Sequence, residues 1–283
     1  MEAGDPGLEL REVLGPSAVG GGWHRFFELL WLMSATEFKK AFFGTFLGYF
    51  WSLIRPLMLF AVLLVVFTKI IRVGSEVPHY PVLLLFNLVV FGFFQEATGS
   101  AVGSVLAQEG VVRKTQFPRL VIPLSSVLVA LFTLGLNLIV VFVFILASGV
   151  TPMWTWLLFP LILAPLFALT CGVSLLLSAL NVRFRDVAII WTVLATVLLY
   201  ATPLIYPLEI IGPGLLREVL LLNPLTLIFE QARAWIIDPN AAGAVAAAGG
   251  WLHVIPAAVI FLVVCALGAW VFRREAPKIA ELL

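Results

Sequence analysis

Residues 120–147 read LVIPLSSVLVALFTLGLNLIVVFVFILA, without one charged side chain. A membrane-spanning helix needs roughly 20 mostly apolar residues, and this stretch exceeds that length. Lipid cannot satisfy free backbone N–H and C=O groups, so a segment of this kind must be helical. It is not isolated. Of the 283 residues, 62% are apolar and 12% charged, about half the charge fraction of an average soluble domain. Working outward, five further runs have the same character: about Leu47–Ile71, Tyr80–Ala107, Trp154–Leu180, Val187–Tyr206 and Trp251–Phe272. The sequence therefore predicts an all-α polytopic membrane protein with six transmembrane helices. A barrel would need short alternating strands, and the sequence does not show them.

The remaining segments fall around this block. Residues 1–22 are acidic, Gly- and Pro-containing, and read as a flexible lead-in. They lack the basic start of a secretory signal, so the first membrane helix is expected to act as the insertion signal. Residues 23–46 form the next unit. Trp23, Phe26, Phe27, Trp31, Phe38, Phe42 and Phe43 alternate there with Arg25, Glu28, Thr36, Lys39 and Lys40 at helical spacing. Aromatics opposite cations predict a helix lying in the membrane interface. The transmembrane block runs over 47–273, and 274–283 form a short tail.

Basic residues set the orientation. With the N-terminus in the cytoplasm, Arg25, Lys39, Lys40, Arg113, Lys114, Arg119, Arg183, Arg185, Arg273, Arg274 and Lys278 lie inside. Lys69, Arg72, Arg217 and Arg233 lie outside. Both termini are then cytoplasmic. The connection from 207 to 250 is broken by Pro207, Gly212, Pro213, Gly214, Pro224, Pro239, Gly243, Gly249 and Gly250. Its apolar pieces, Leu215–Leu222 and Leu225–Ile237, are too short to span. Such pieces read as re-entrant or interfacial helices beside a pathway.

Three places could carry chemistry. The loop Gln108–Arg119 is short and basic, and Pro118 restricts the residue before it; it suits either docking of a soluble partner or a topology signal. In Asn181–Asp186, Arg183, Arg185 and Asp186 are expected to pair locally and to cap the flanking helices. Glu96 lies within the second span, where a carboxyl group is costly. It either forms a buried structural contact or lines a path, and no charge partner is evident in the central parts of the other spans. Gly99, Ala101 and Gly103 beside it suit close helix packing.

Other classes find little support. There is no Gly-x-x-x-x-Gly-Lys-Ser/Thr phosphate loop and no Gly-x-Ser-x-Gly elbow, so the chain is read as no enzyme. His24, His79 and His253 lack metal-ligand spacing. Cys171 and Cys265 sit inside apolar runs as small fillers. Net charge is +1, giving no pull toward nucleic acid.

Four stretches together resemble the ABC-2 family of exporter permeases, in the branch that exports lipid-linked polysaccharides such as O antigens, teichoic acids and galactans. They are Leu47-Gly-Tyr-Phe-Trp51 with Arg55-Pro-Leu57; Arg113-Lys-Thr-Gln-Phe-Pro-Arg119 running to Pro123-Leu-Ser125; Asn181-Val-Arg-Phe-Arg-Asp-Val187; and Thr202-Pro-Leu-Ile-Tyr-Pro207 with Asn223-Pro224. The resemblance covers the chain from about residue 23 onward. Upstream of Leu47 the family pattern has basic residues with a Tyr, whereas Phe42 and Phe43 stand here.

The resemblance implies a homodimer in a bacterial cytoplasmic (inner) membrane, with two copies of a separate ABC ATPase subunit beneath it. That partner, and not this chain, would bind ATP and Mg. Glu109, Arg113, Lys114 and Phe117 would form the coupling helix that docks on the ATPase. The broken segment after Tyr206 would supply gate helices. A passing glycan favours flat apolar faces, which makes Trp51, Phe91, Phe94, Tyr200 and Tyr206 candidate lining beside Glu96. The alternatives are an ABC-2 exporter of a drug or small lipid, and an ion-coupled transporter with Glu96 as relay.

Overall fold

The computed structural model describes residues 22–43, 48–72, 77–110 and 118–278. Within them the chain is helical, with no strand. The helices are α1 (Gly22–Phe43), α2 (Gly48–Val65, continued by a π-helical turn Val66–Ile70), α3 (Tyr80–Ala107) and α4 (Val121–Ala147). Then follow α5 (Phe159–Arg183, entered by a 3₁₀ turn Trp154–Leu158), α6 (Val187–Ala201), α7 (Leu215–Leu221), α8 (Pro224–Ile236), α9 (Ala244–Ala248) and α10 (Trp251–Glu275). Five of the described helical stretches are long and apolar enough to cross a membrane: Gly48–Ile70, Tyr80–Ala107, Val121–Ala147, Trp154–Arg183 and Trp251–Glu275.

The expected fifth span differs. Its helix, α6, holds 15 residues, about 22 Å at 1.5 Å per residue, against a hydrocarbon core of about 30 Å. The chain then leaves the helix at Thr202 and turns inward, so Leu204 and Ile205 are fully buried. Hydrogen bonds explain the turn. Tyr80 Oη donates to the Ile205 carbonyl at 2.8 Å, and Asn87 Nδ2 donates to the Leu204 carbonyl at 2.9 Å. These carbonyls lie outside helical pairing and are satisfied by α3 side chains, as buried backbone groups must be. Removing Asn87 leaves a buried acceptor unpaired. Asn87→Leu should therefore cost about 1–3 kcal/mol, read as a lower unfolding midpoint of the solubilised protein; an unchanged midpoint refutes this account of the turn.

α3 is the centre of the bundle. It packs on α4, α5, α2 and α6. Along its membrane window 78% is buried, against 6% for α2 and 11% for α10, yet it is the least apolar of the five. Away from Glu96 and Ser100, which are exposed, its buried polar groups face protein. Trp191 Nε1 of α6 donates to Thr98 Oγ1 at 3.1 Å, and Asn181 Nδ2 of α5 donates to the Val102 carbonyl at 3.0 Å. α1 packs along α4, with Trp31 and Phe38 meeting Phe132 edge-on. Trp23, Phe27 and Trp31 remain exposed on α1.

Of the three small residues expected to allow close helix packing, Ala101 is fully buried, but the two glycines are not at a contact. A Cβ at Gly99 or Gly103 would meet no atom within 4 Å. The tight crossing is between α5 and α10. A Cβ on Gly268 would stand 2.0 Å from the Gly172 carbonyl oxygen, and one on Gly172 would stand 2.8 Å from Cys265 Cα. These two glycines let the backbones touch, as small residues do between membrane helices. The Asn181–Asp186 loop also differs. Asp186 precedes α6 without a side-chain cap bond, and Arg183 lies over the Phe184 ring at 5.5 Å instead of pairing with it. Next to a ring, a guanidinium gains cation–π attraction without a carboxylate.

Candidate functional site: a polar cavity and a buried ion cluster

Along the middle of α3, between Leu88 and Ser100, α1, α2, α3 and α4 leave a cavity of about 720 Å³. Arg55 from α2 and Glu96 from α3 both line it. Ser52, Gln95, Ser100 and Asn137 supply hydroxyls and amides to the same wall, and Trp51 supplies an aromatic face. Asn137 is held by Tyr49, whose Oη donates to Asn137 Oδ1 at 3.0 Å. Gln95 is held by α6, its Nε2 donating to the Ala195 carbonyl at 3.2 Å. Pro56 follows Arg55 inside α2. Having no N–H, it cannot give the Ser52 carbonyl its helical partner, so a backbone acceptor is added beside this wall.

A second cavity of about 260 Å³ shares Ala41, Glu96, Ser100 and Ala130 with the first and extends to Glu37, Ser104, Gln108, Ser125 and Ser126. Glu37 pairs with Lys40 at 3.1 Å and accepts from Gln108 Nε2 at 3.5 Å. The polar lining is therefore continuous along one flank of α3. Ionisable groups at membrane depth are costly and mark functional sites. Glu96 is thus not alone: Arg55 shares its cavity. The signal was present in the sequence, as an arginine inside an apolar run.

The other expected lining residues separate. Trp51 joins the cavity with Glu96. Phe91 and Phe94 do not face an opening. They are buried in the core, where Phe91 packs on Phe229 and Phe94 meets Trp191 edge-on. Their direction follows from α3 being surrounded by helices, which leaves few of its faces open. Tyr200 is exposed on the outer face of α6, in a shallow groove with Thr192, Val193, Thr196 and Val197. Tyr206 is half-buried, and its Oη donates to the Tyr200 carbonyl at 3.0 Å. Glu109 is half-buried just past the end of α3, while Arg113, Lys114 and Phe117 lie outside the described residues.

A second polar site was not legible as such. In the 207–250 connection, Glu230 and Arg233 of α8 are buried, one helical turn apart. Arg233 Nη1 contacts Glu209 Oε2 at 2.6 Å and stands 3.8 Å from Glu230 Oε2. The Leu208 N–H donates to Glu230 Oε1 at 3.2 Å. Burial, and then the Glu209 charge, push the Glu230 carboxyl up to about 7, against opposing pulls from Arg233, the Leu208 bond and Arg217. Arg217 of α7 bonds the Ile211 and Ala247 carbonyls at 3.2 and 3.0 Å. Asn223 completes the seat. Its side chain caps α8 by accepting from the Leu225 N–H at 3.0 Å and donates to Thr202 Oγ1 at 2.9 Å. The Thr202–Pro207 and Asn223-Pro224 stretches, apart in sequence, therefore meet. α8 also receives Trp156, whose Nε1 donates to the Ile236 carbonyl at 3.0 Å.

A helical bundle of membrane length, with charges lining an open cavity on its flank and a pinned set of short helices after α6, has the build of a membrane transport subunit. The chain belongs to the ABC-2 type transporter family, whose profile matches residues 28–237. It is 30% identical to the O-antigen export system permease protein RfbA of Myxococcus xanthus, over 70% of this chain and 76% of that protein. To the protein of the same name in Klebsiella pneumoniae it is 31% identical, with the same shares covered. It is 25% identical to the polysialic acid transport protein KpsM of Escherichia coli, over 68% of this chain and 74% of that protein.

Proposed function

We propose that the chain is the permease subunit of an ABC exporter that moves a lipid-linked polysaccharide across the bacterial cytoplasmic membrane. The observation that carries this reading is the family match, joined to relatives whose names specify O-antigen export and polysialic acid transport. Those relatives do not favour a drug or small lipid as cargo. Separate ATPase subunits, in two copies beneath a homodimer, bind ATP and Mg and supply the energy. α6 is the fifth of six crossings, completed at its short end by the buried Thr202–Pro207 turn. Both termini lie in the cytoplasm, which puts the α1 side of the cavity inward and the Glu209–Glu230–Arg233 cluster outward. Trp51, Glu96, Tyr200 and Tyr206 line the pathway. α7 and α8 form the gate, held by that cluster.

Glu109, Arg113, Lys114 and Phe117 dock on the ATPase. Nucleotide binding then shifts the permease between closed and open states through contacts that differ between them. The test is copurification with the ATPase, followed by export and ATP turnover. Arg113→Ala combined with Lys114→Ala should lower substrate-stimulated turnover by about tenfold, a coupling of about 1.4 kcal/mol. Full stimulation in the double variant contradicts the docking role.

A further inference from the structure

The Arg55–Glu96 cavity has an arrangement that packing alone does not require. A guanidinium inside a membrane-length helix costs several kcal/mol unless an anion or water partners it. Among the described residues, Arg55 makes no hydrogen bond and no ion pair within 4 Å, and neither does Glu96. The two opposite charges face one space of about 720 Å³, large enough for a sugar-sized group between them. Around them the wall presents Ser52, Ser100 and Asn137, which can donate to or accept from hydroxyls. The lining continues through the second cavity to Glu37 and Gln108 at one end of the bundle, so the space has an approach along that flank.

We propose that this cavity binds an oxyanion flanked by sugar hydroxyls, with Arg55 as the partner of the anion. The inference rests on the polysaccharide-export reading and adds to it the chemistry recognised. Arg55 presents a planar fork of donors that matches phosphate or carboxylate. Ser52, Ser100 and Asn137 take the neighbouring hydroxyls. Glu96, of like charge to the ligand, competes for Arg55. That competition keeps the anion from binding too tightly, and a transport site must release what it binds. Two sources carry this chemistry: the phosphate joining a glycan to its lipid, and the carboxylate of an acidic sugar in the polymer.

Calorimetry on the permease purified with its ATPase separates them, using farnesyl phosphate, N-acetylneuraminic acid and, as the uncharged control, farnesol. Wild type should bind one or both anions more tightly than farnesol. Farnesyl phosphate alone identifies the lipid phosphate; the sialic acid alone identifies the polymer. Arg55→Gln should weaken that anion by at least about tenfold, the scale of one charge-assisted bond. Arg55→Lys should weaken it less. Glu96→Gln should tighten binding of that same anion, and it carries the test if Arg55→Gln does not fold. An anion affinity no better than farnesol, or equal in wild type and Arg55→Gln, overturns the proposal. So does Glu96→Gln binding that is unchanged or weaker. Glycan export in cells is scored in parallel. Export that persists while these binding results fail sinks the site alone, whereas a gene deletion that leaves surface glycan intact sinks the export reading.

Discussion

Arg233→Met should lower the stability of the folded permease by about 3 kcal/mol at neutral pH, the cost of removing one partner from a buried charge pair. The arginine is buried between two carboxylates. Without it, Glu209 and Glu230 are left facing each other near the Leu208 N–H. The loss is read as a lower thermal midpoint of the solubilised protein. The same cluster gives a pH signature. Folding raises Glu230 from 4.5 to about 7, so the folded state holds its proton over a range where the unfolded chain does not. Its contribution to stability is then full below about pH 4.5 and is lost as pH rises through about 7. Glu230→Gln should flatten the midpoint across that interval. A slope that survives the substitution assigns it to another group, and a wild-type midpoint that rises over the interval contradicts the burial of Glu230.

Gly268→Leu is the second large effect. Its first side-chain carbon already falls 2.0 Å from the Gly172 carbonyl oxygen, and that atom belongs to helix backbone, which cannot rotate away. Overpacking costs typically about 1–3 kcal/mol and occasionally more; a clash with backbone belongs at the upper end. α10 would have to separate from α5, so the variant should show both a lower midpoint and new proteolysis near residues 249–251. Gly103→Ala is the contrast, since its added carbon meets nothing within 4 Å and alanine is the better helix former by up to about 1 kcal/mol. Equal behaviour of the two variants refutes the role of the α5–α10 crossing.

Membrane class and, the Val187–Tyr206 run apart, the limits of the long helices were open to reading because hydrophobic length is a one-dimensional property. Val121–Ala147 differs by one residue from the run that suggests it. Residue direction was not open in the same way. α3 is enclosed on most of its sides, so no periodic stripe distinguishes Phe91 and Phe94, which face protein, from Glu96, which faces the cavity. The glycines show the same limit. Gly99 and Gly103 have the spacing of a contact motif, yet the neighbouring backbone approaches Gly172 and Gly268, which lie on helices far apart in sequence. The Glu230–Arg233 spacing was visible, but nothing in the sequence tells that the 207–250 connection folds back to bury it.

The burial of α3 bears on how the protein is made. A helix leaving the ribosome meets lipid before it meets partners that follow it in the chain. α3 is the least apolar of the five long helices and the most enclosed, and its Asn87, Thr98 and Val102 contacts come from residues 181–204. Until α5 and α6 arrive, those polar groups face hydrocarbon or stay in the insertion machinery. Chains truncated after Ala107 should therefore be degraded faster than chains ending after Pro207, and pulse-chase of the two lengths decides it. Biogenesis of this permease is in that sense retroactive, with α3 made secure by α5 and α6.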